Sequence, residues 1–368
     1  MKTGGLKKMS LRKLSIVLLA LLLAAMAIVP IVSADGQITK GDNFQLSQLK
    51  PDDSQTKVVI RNGFSFAQGD SQTVIPLGSI IQHSSDGITR VFDSDGKQIS
   101  ISQDIDSPKI PTPYGDLPAV NINQIPDGSS IDVKDNGITN VYSKGQRVLT
   151  VISPAGKKIP VASTSGWIED SYAWNIPELG QFIADWTVPS SPPNRQTGAI
   201  DYIFNGIQPG NSVGIVQPVL EYNVAGTHQW TGAPWYVDSN NLGYRGTPIS
   251  TSVGHTVRGT LGWNQNLNRW NIIFQDLSNG GYSSSFSTNA PNIGTNNVGA
   301  FCALEGKNIN NDNDVPGTIT FYNMRFRNVN LNPVSFSWNK YTNTGMGLTN
   351  LNVAWSGMTP VTLWTKNP

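Results

Sequence analysis

Beyond its first 34 residues, no stretch of this chain repeats apolar side chains at helical spacing, and that property limits the fold more than any other. What recurs is alternation: "TVRGTLGW" from Thr256, "WNIIFQD" from Trp270, "YSSSFS" from Tyr282, "GAFCALE" from Gly299 and "TITFYNMRFR" from Thr318. Gly, Asn and Pro turns separate these segments. Short alternating runs bounded by turn residues read as half-buried strands. Many of them in one chain pack as an antiparallel sandwich or barrel. The expected fold class is all-β, an antiparallel β-sandwich of two sheets.

The upstream part carries an internal repeat with a 50-residue offset. "IPLGSIIQHSSDGITRVFDSDG" from Ile75 returns as "IPDGSSIDVKDNGITNVYSKG" from Ile125. Gly87, Ile88, Thr89 and Val91 recur as Gly137, Ile138, Thr139 and Val141. Asp-Gly and Asn-Gly pairs inside each copy are hairpin signals. Two copies are too few for a solenoid, so a small β-rich unit built from a duplicated segment is expected. All ten Trp lie at or beyond Trp167, where the texture changes. The expected organisation is a signal peptide over 1–34, a β-rich pro-region or accessory domain over 35–165, and a β-sandwich catalytic domain over 166–368.

The leader assignment rests on Lys2, Lys7, Lys8, Arg12 and Lys13 preceding an apolar run from Leu14 to Val32, closed by Ser33-Ala34. An uncleaved membrane anchor is the alternative, which Pro30 and the small closing residues disfavour. Without the leader the chain has 21 basic and 25 acidic residues, so it lacks the basic patch that nucleic acid requires. Charged residues make up 14% of the chain, and Asn, Ser, Thr and Gly take their place. Such a surface loses few ion pairs in acid. Cys302 is the only cysteine, so an exported chain of this length must be held by its core rather than by disulfides. These features predict a secreted, extracellular or cell-surface monomer with no stable membrane insertion once the leader is gone.

Several chemistries are excluded on the residues. There is no HExxH, no Cys/His cluster and no GxSxG, and the three histidines, His83, His228 and His255, stand in no triad context. No metal and no cofactor is expected. Cys302 points to the opposite strand face from Glu305 and reads as a buried structural thiol. The chain has four glutamates, and Glu305 ends the apolar run Ala300–Leu304. Alternation puts Phe301, Ala303 and Glu305 on one strand face, and Ile215, Gln217 and Val219 on another. A buried amide and a buried carboxyl each need a partner, at about 1–3 kcal/mol or more if left without one. Alternation alone leaves two readings open: Gln217 and Glu305 face each other, or both meet water.

From Trp174 to about Phe326 the chain resembles the glutamic peptidases called eqolisins. "ADWTVPSSPP" at Ala184 is similar to the family's early strand ending in Val-Pro-Ser. "FNGIQPGNSVGIVQPV" at Phe204 is similar to its Trp-Val-Gly-Ile-Asp-Gly segment and the Leu-Gln-Thr-Gly strand that follows. "FQDLSNGGYSSSFS" at Phe274 resembles its Asn-Leu-Thr-Thr-Gly stretch and Ser-Phe-Ser strand. "GAFCALEGKNINNDNDVPGTITFYNMRF" resembles its Ala-Glu-Phe-Ile-Ile-Glu segment, the following Val-Pro loop and an aromatic strand. Three departures stand out: Phe301 replaces the family's first Glu, Val219 replaces the Gly after its Gln, and Pro234 stands where an acid belongs in "HQWTGAPWYVD".

The resemblance implies two sheets bent around a cleft, with Gln217 and Glu305 as a dyad that activates water for peptide-bond hydrolysis at acidic pH. It implies polypeptide substrates and neither metal nor cofactor, with Trp174, Trp230, Trp235 and Tyr236 as candidate walls of the substrate cleft or as core aromatics. Two other classes fit the residues: a Trp-rich carbohydrate-binding or adhesive surface protein, and a glycoside hydrolase. The latter would need a second carboxylate about 5–10 Å from the first, for which Glu221, Asp238 and Asp276 are available. A linker at "SPAGKKIPVASTSG" predicts release of a fragment starting near Trp167 in acid.

Overall fold

The computed structural model describes residues 46–54, 75–107, 109–113, 115–154, 166–195, 198–210, 214–224 and 226–365. The expected leader at 1–34 and most of the expected linker, 155–165, lie outside the described residues. The described chain is all-β, its helical content confined to three-residue 3-10 turns. Among the described residues no helix is long and apolar enough to cross a membrane.

Two large sheets carry the architecture. The nine-stranded sheet runs Asn339–Thr342, Gly166–Glu178, Asn296–Lys307, Ile200–Pro209, Ile215–Tyr222, Trp230–Val237, Gly243–Arg245 and Ile122–Gln124, with Ile249–Ser250 beside Trp230–Val237. Asn296–Lys307 is called here the Glu strand, Ile200–Pro209 the middle strand and Ile215–Tyr222 the Gln strand. The thirteen-stranded sheet includes Gln181–Thr187, Thr256–Asn264, Arg269–Asp276 and Tyr282–Thr288.

The two sheets face each other across the main core. Phe182, Trp186, Trp270 and Phe274 from one meet Ile203, Leu220, Cys302 and Leu304 from the other. Strand alternation makes this packing possible, because every second side chain of each strand enters the core. Cys302 is buried there, its Sγ 3.8 Å from Met324 Sδ.

The upstream region does not stand apart from these sheets. Ser129–Val133 pairs in parallel with Tyr282–Thr288, and Ile122–Gln124 pairs in parallel with Gly243–Arg245. Side chains reinforce the seams: Arg269 donates to Ile131 O at 2.8 Å, and Ser285 N donates to Asp127 Oδ1 at 2.7 Å. The two repeat copies place strands at matching offsets, Ser79–His83 and Ile88–Phe92 in one, Ser129–Val133 and Ile138–Ser143 in the other. They lie side by side at one end of the thirteen-stranded sheet.

One further element lies off both sheets. Lys109–Thr112 and Gly115–Pro118 form a two-stranded antiparallel hairpin. Its Ile110 and Leu117 join a second apolar cluster with Tyr202, Phe204, Ile215, Val219, Trp235 and Ala303. Those residues belong to the face of the nine-stranded sheet that points away from the main core. The hairpin therefore covers that outer face.

Candidate active site

The outer face is set by three neighbouring strands whose register fixes what stands beside what. The middle strand pairs Tyr202 with Glu305 and Phe204 with Ala303 on one side. On its other side it pairs Tyr202 with Glu221 and Phe204 with Val219. Glu305, Tyr202 and Glu221 thus form one row across the sheet. Gly206 opposes Phe301, and the same register on the other side brings Gly206 level with Gln217, which in turn pairs with Trp235.

Gln217 and Glu305 therefore share one face, as alternation predicts, but they stand two strands and four residues apart. On a flat sheet that is about 10 Å across and about 13 Å along, so their α-carbons are about 16 Å apart. They do not hydrogen-bond to each other. Of the two readings that alternation left open, direct pairing of amide and carboxyl is not the one seen, since Gln217 Nε2 donates elsewhere and neither Glu305 oxygen has a hydrogen-bond partner of good geometry.

The covering hairpin bridges it instead. Gln217 Nε2 donates to the backbone carbonyl of Pro113 at 2.9 Å, and its Oε1 is buried with no hydrogen-bond partner. Two residues further on, the backbone N–H of Gly115 acts on Glu305 and pulls its pKa down. Burial outweighs it, and the nearby charge of Asp116 adds to burial, so the Glu305 carboxyl is held well above the usual carboxylate range. Neither Glu305 oxygen makes a hydrogen bond of good geometry. Under the hairpin, burial thus favours the protonated form of Glu305.

Glu221, in the same row, has the opposite environment. Its Oε1 accepts from Trp235 Nε1 at 2.6 Å and Arg245 Nε at 2.9 Å, and its Oε2 accepts from Thr231 Oγ1 at 3.0 Å and from Arg245 Nη2. Four acceptor positions are filled, and Arg245 also sits 5.9 Å from the Trp235 ring centroid. Glu221 thereby ties Thr231, Trp235 and Arg245 together on this face. Asp238 is also buried, capping the Asn240 and Leu242 N–H groups, and Asp276 holds Thr251 and His255. All three acids that a glycosidase reading offered are thus engaged in hydrogen bonds of their own.

Between the two glutamates lies Tyr202, fully buried. Burial first, then the charges of Glu221, Glu305 and Asp116, push its phenol well above its normal pKa, against the pull of Arg245. It remains a neutral phenol. Asp170 pairs with Ala303 and so faces the same side, diagonal to Glu305. Burial raises it to about 7.

The four aromatic candidates separate. Trp235 lies on the outer face beside Gln217, buried under the hairpin. Trp174 is 41% exposed and meets Phe301 edge-on at 4.9 Å. Gly299 makes this approach possible, because a Cβ there would fall 2.5 Å from the Trp174 ring. Trp167 continues the row, meeting Phe301 at 5.0 Å and Phe204 at 5.6 Å. Trp230 and Tyr236 instead belong to the main core between the sheets. Being odd-even neighbours on one strand, Trp235 and Tyr236 cannot face the same side.

Sequence reasoning missed Pro113, Gly115, Asp116 and Lys307 as parts of the site. The one hint was "KIPTPYGDLP", which interrupts the two repeat copies without belonging to either.

No protein-family model matches the chain, and no curated protein matches it. Among solved structures it is similar to scytalido-glutamic peptidase with a peptide-based transition-state analogue, at 14% identity and TM-score 0.41, over 55% of this chain and 100% of that chain. The same peptidase with a transition-state analogue inhibitor gives 14% and 0.40 over the same shares. Peanut lectin with a nine-residue peptide gives 9% and 0.24, over 52% of this chain and 82% of that chain. All three are distant likenesses.

Proposed function

We propose that this chain is an exported, acid-acting glutamic endopeptidase that hydrolyses polypeptides with Gln217 and Glu305, and that it is made latent beneath its own N-terminal region. The observation that carries this reading is the way one peptide segment addresses both side chains. A backbone carbonyl accepts from the Gln217 amide at 2.9 Å, and Gly115 and Asp116, two and three residues along, act on the Glu305 carboxyl. A Gln and a Glu side chain each reach about 5 Å from the α-carbon, which leaves about 6 Å between them. That width suits a peptide bond and one water.

In this reading Glu305, once charged, takes a proton from a water that attacks the scissile carbonyl. Gln217 donates to the oxyanion that develops on the carbonyl oxygen. Glu305 then gives its proton to the leaving amine. Trp235 packs beside Gln217, and Trp174 with Phe301 walls the far end of the face. Removing the hairpin exposes Glu305 to water and takes away the charge of Asp116, and both changes lower its pKa into a range where it ionises in acid.

The test is proteolysis of a denatured protein across pH 2–7, before and after acid incubation, with and without pepstatin. Pepstatin-insensitive cleavage with an acidic optimum is expected, and it should be lost in Glu305→Gln. Inhibition by EDTA, or an optimum above neutrality, would remove the assignment.

A further inference from the structure

Lys307 ends the Glu strand two residues past Glu305 and so shares its face. Its side chain is only 19% exposed, and its Nζ lies 3.1 Å from Asp116 Oδ1. Asp116 is 3% exposed. A lysine mostly withdrawn from water needs an anionic or accepting partner, and the sheet's own strands do not give it one in this ion pair; the hairpin does. Along the hairpin, Pro113 O addresses Gln217, the Gly115 N–H addresses Glu305, and the Asp116 carboxylate addresses Lys307. Two backbone groups and one side chain of a single segment thus address the three polar side chains in order. Ile110 and Leu117 anchor the segment on either side in the apolar cluster around Val219 and Trp235.

We propose that Lys307 forms a subsite for an acidic side chain three residues beyond the carbonyl held by Gln217, in extended peptides bound to this face, and that the Lys109–Pro118 hairpin is the occupant the chain itself supplies. The proposal rests on the peptidase reading only for the fate of such a peptide, not for its binding. An ammonium group here accepts aspartate or glutamate and rejects lysine or arginine by like-charge contact, which is selection by both attraction and repulsion.

The full-length chain tests this without any need for turnover. Asp116→Lys sets two ammonium groups against each other and should release the hairpin. Carbodiimide coupling of Glu305, followed by mass spectrometry, is expected to run at least about tenfold faster than in the unaltered chain, the size of one lost charge-assisted contact. The swap Asp116→Lys with Lys307→Asp should restore protection, and the isosteric Asp116→Asn should give an intermediate rate if the lysine variant fails to fold. Equal coupling in the unaltered chain and in Asp116→Asn, or no protection in the swap, overturns the built-in occupant.

Fluorescent peptides of the sequence KIPTPYGDLP, and of the same sequence with lysine for its aspartate, then probe the partly opened Asp116→Asn chain. The aspartate peptide should bind about tenfold tighter, and the order should reverse when Lys307→Asp is added. Equal binding overturns the subsite. Selective binding with no cleavage of any peptide would remove the peptidase reading and leave the subsite standing; cleavage without selectivity would do the reverse.

Discussion

Glu305 and Glu221 stand in one row of one sheet, each pairing across the backbone with the same tyrosine, yet their side chains have opposite surroundings. Glu221 is 0% exposed and makes four hydrogen bonds, two of them to a buried arginine. Glu305 is 1% exposed and makes none of good geometry. A protein that buries a carboxyl this way gains nothing in stability from it, because the desolvation penalty is uncompensated. The contrast separates a carboxylate that holds the sheet together from one that does not, and it lets substitutions at the two positions be set against each other.

The largest expected effect is on turnover at Glu305. Glu305→Gln keeps the shape and removes the proton acceptor, so kcat in the activated protein should fall roughly 100- to 10,000-fold or more. Its thermal midpoint should not fall, since an amide replaces a carboxyl that lacks partners. A variant with near-normal proteolysis would break the comparison at its centre.

Glu221→Gln should show the reverse pattern. It leaves Arg245 buried opposite a neutral amide, and breaking a buried pair costs about 3–5 kcal/mol. Denaturant unfolding should register that loss. The ion pair with Arg245 makes Glu221→Gln a stability mutant. Any lost activity should track the unfolded fraction, so normal kcat is expected for the folded protein at low temperature. Catalysis lost at full stability would move the chemistry from Glu305 to Glu221.

Gln217→Ala sharpens the picture at smaller scale. Loss of one oxyanion donor should lower kcat about 100-fold with little change in KM. Combined with Glu305→Gln, the loss should be less than the product of the two, because both groups act in one step. Strict multiplication would mean that they act independently.

The smallest effect, measured per pH unit, is the pH dependence of stability. Burial raises Glu169 to about 9, Asp170 to about 7 and Asp238 to about 6, all above their unfolded values near 4. Over those windows the folded state holds more protons than the unfolded one, so stability falls as pH rises. Each group contributes at most about 1.4 kcal/mol per pH unit. Asp276, lowered by His255 and Thr251 against its burial, acts the other way and loses its contribution below about pH 4. These three raised acids should therefore make the thermal midpoint decline from about pH 4 toward neutrality, and Glu169→Gln should flatten the upper part of that decline. A midpoint that rises from pH 4 to pH 8 would contradict the assignment of these groups as buried acids.

Much of this arrangement was legible in the residues. Alternation with period two gives the all-β class, puts Gln217 with Ile215 and Val219, puts Glu305 with Phe301 and Ala303, and turns Cys302 away from them. These are local properties of extended backbone, fixed by the geometry of each strand. Alternation also says that Trp235 and Tyr236 face opposite ways, but not which of them enters the core. That choice needs the partner sheet, where Phe274 comes so close to Gly232 that a Cβ there would fall 1.8 Å from its ring.

Register was likewise beyond the sequence. The level of Glu305 against Glu221 rather than Gln217 depends on which residues of three separate strands pair, and a shift of two residues would have changed the row without changing either face. The hairpin lies further still from local reasoning, since Pro113 meets Gln217 across 104 residues of chain. The amino-acid sequence by itself determined which side chains share a face, because that follows from the backbone of one strand. Only the tertiary structure decided which carboxyl is satisfied, which aromatics are core and what covers the site, because each depends on strands brought together by burial from distant parts of the chain.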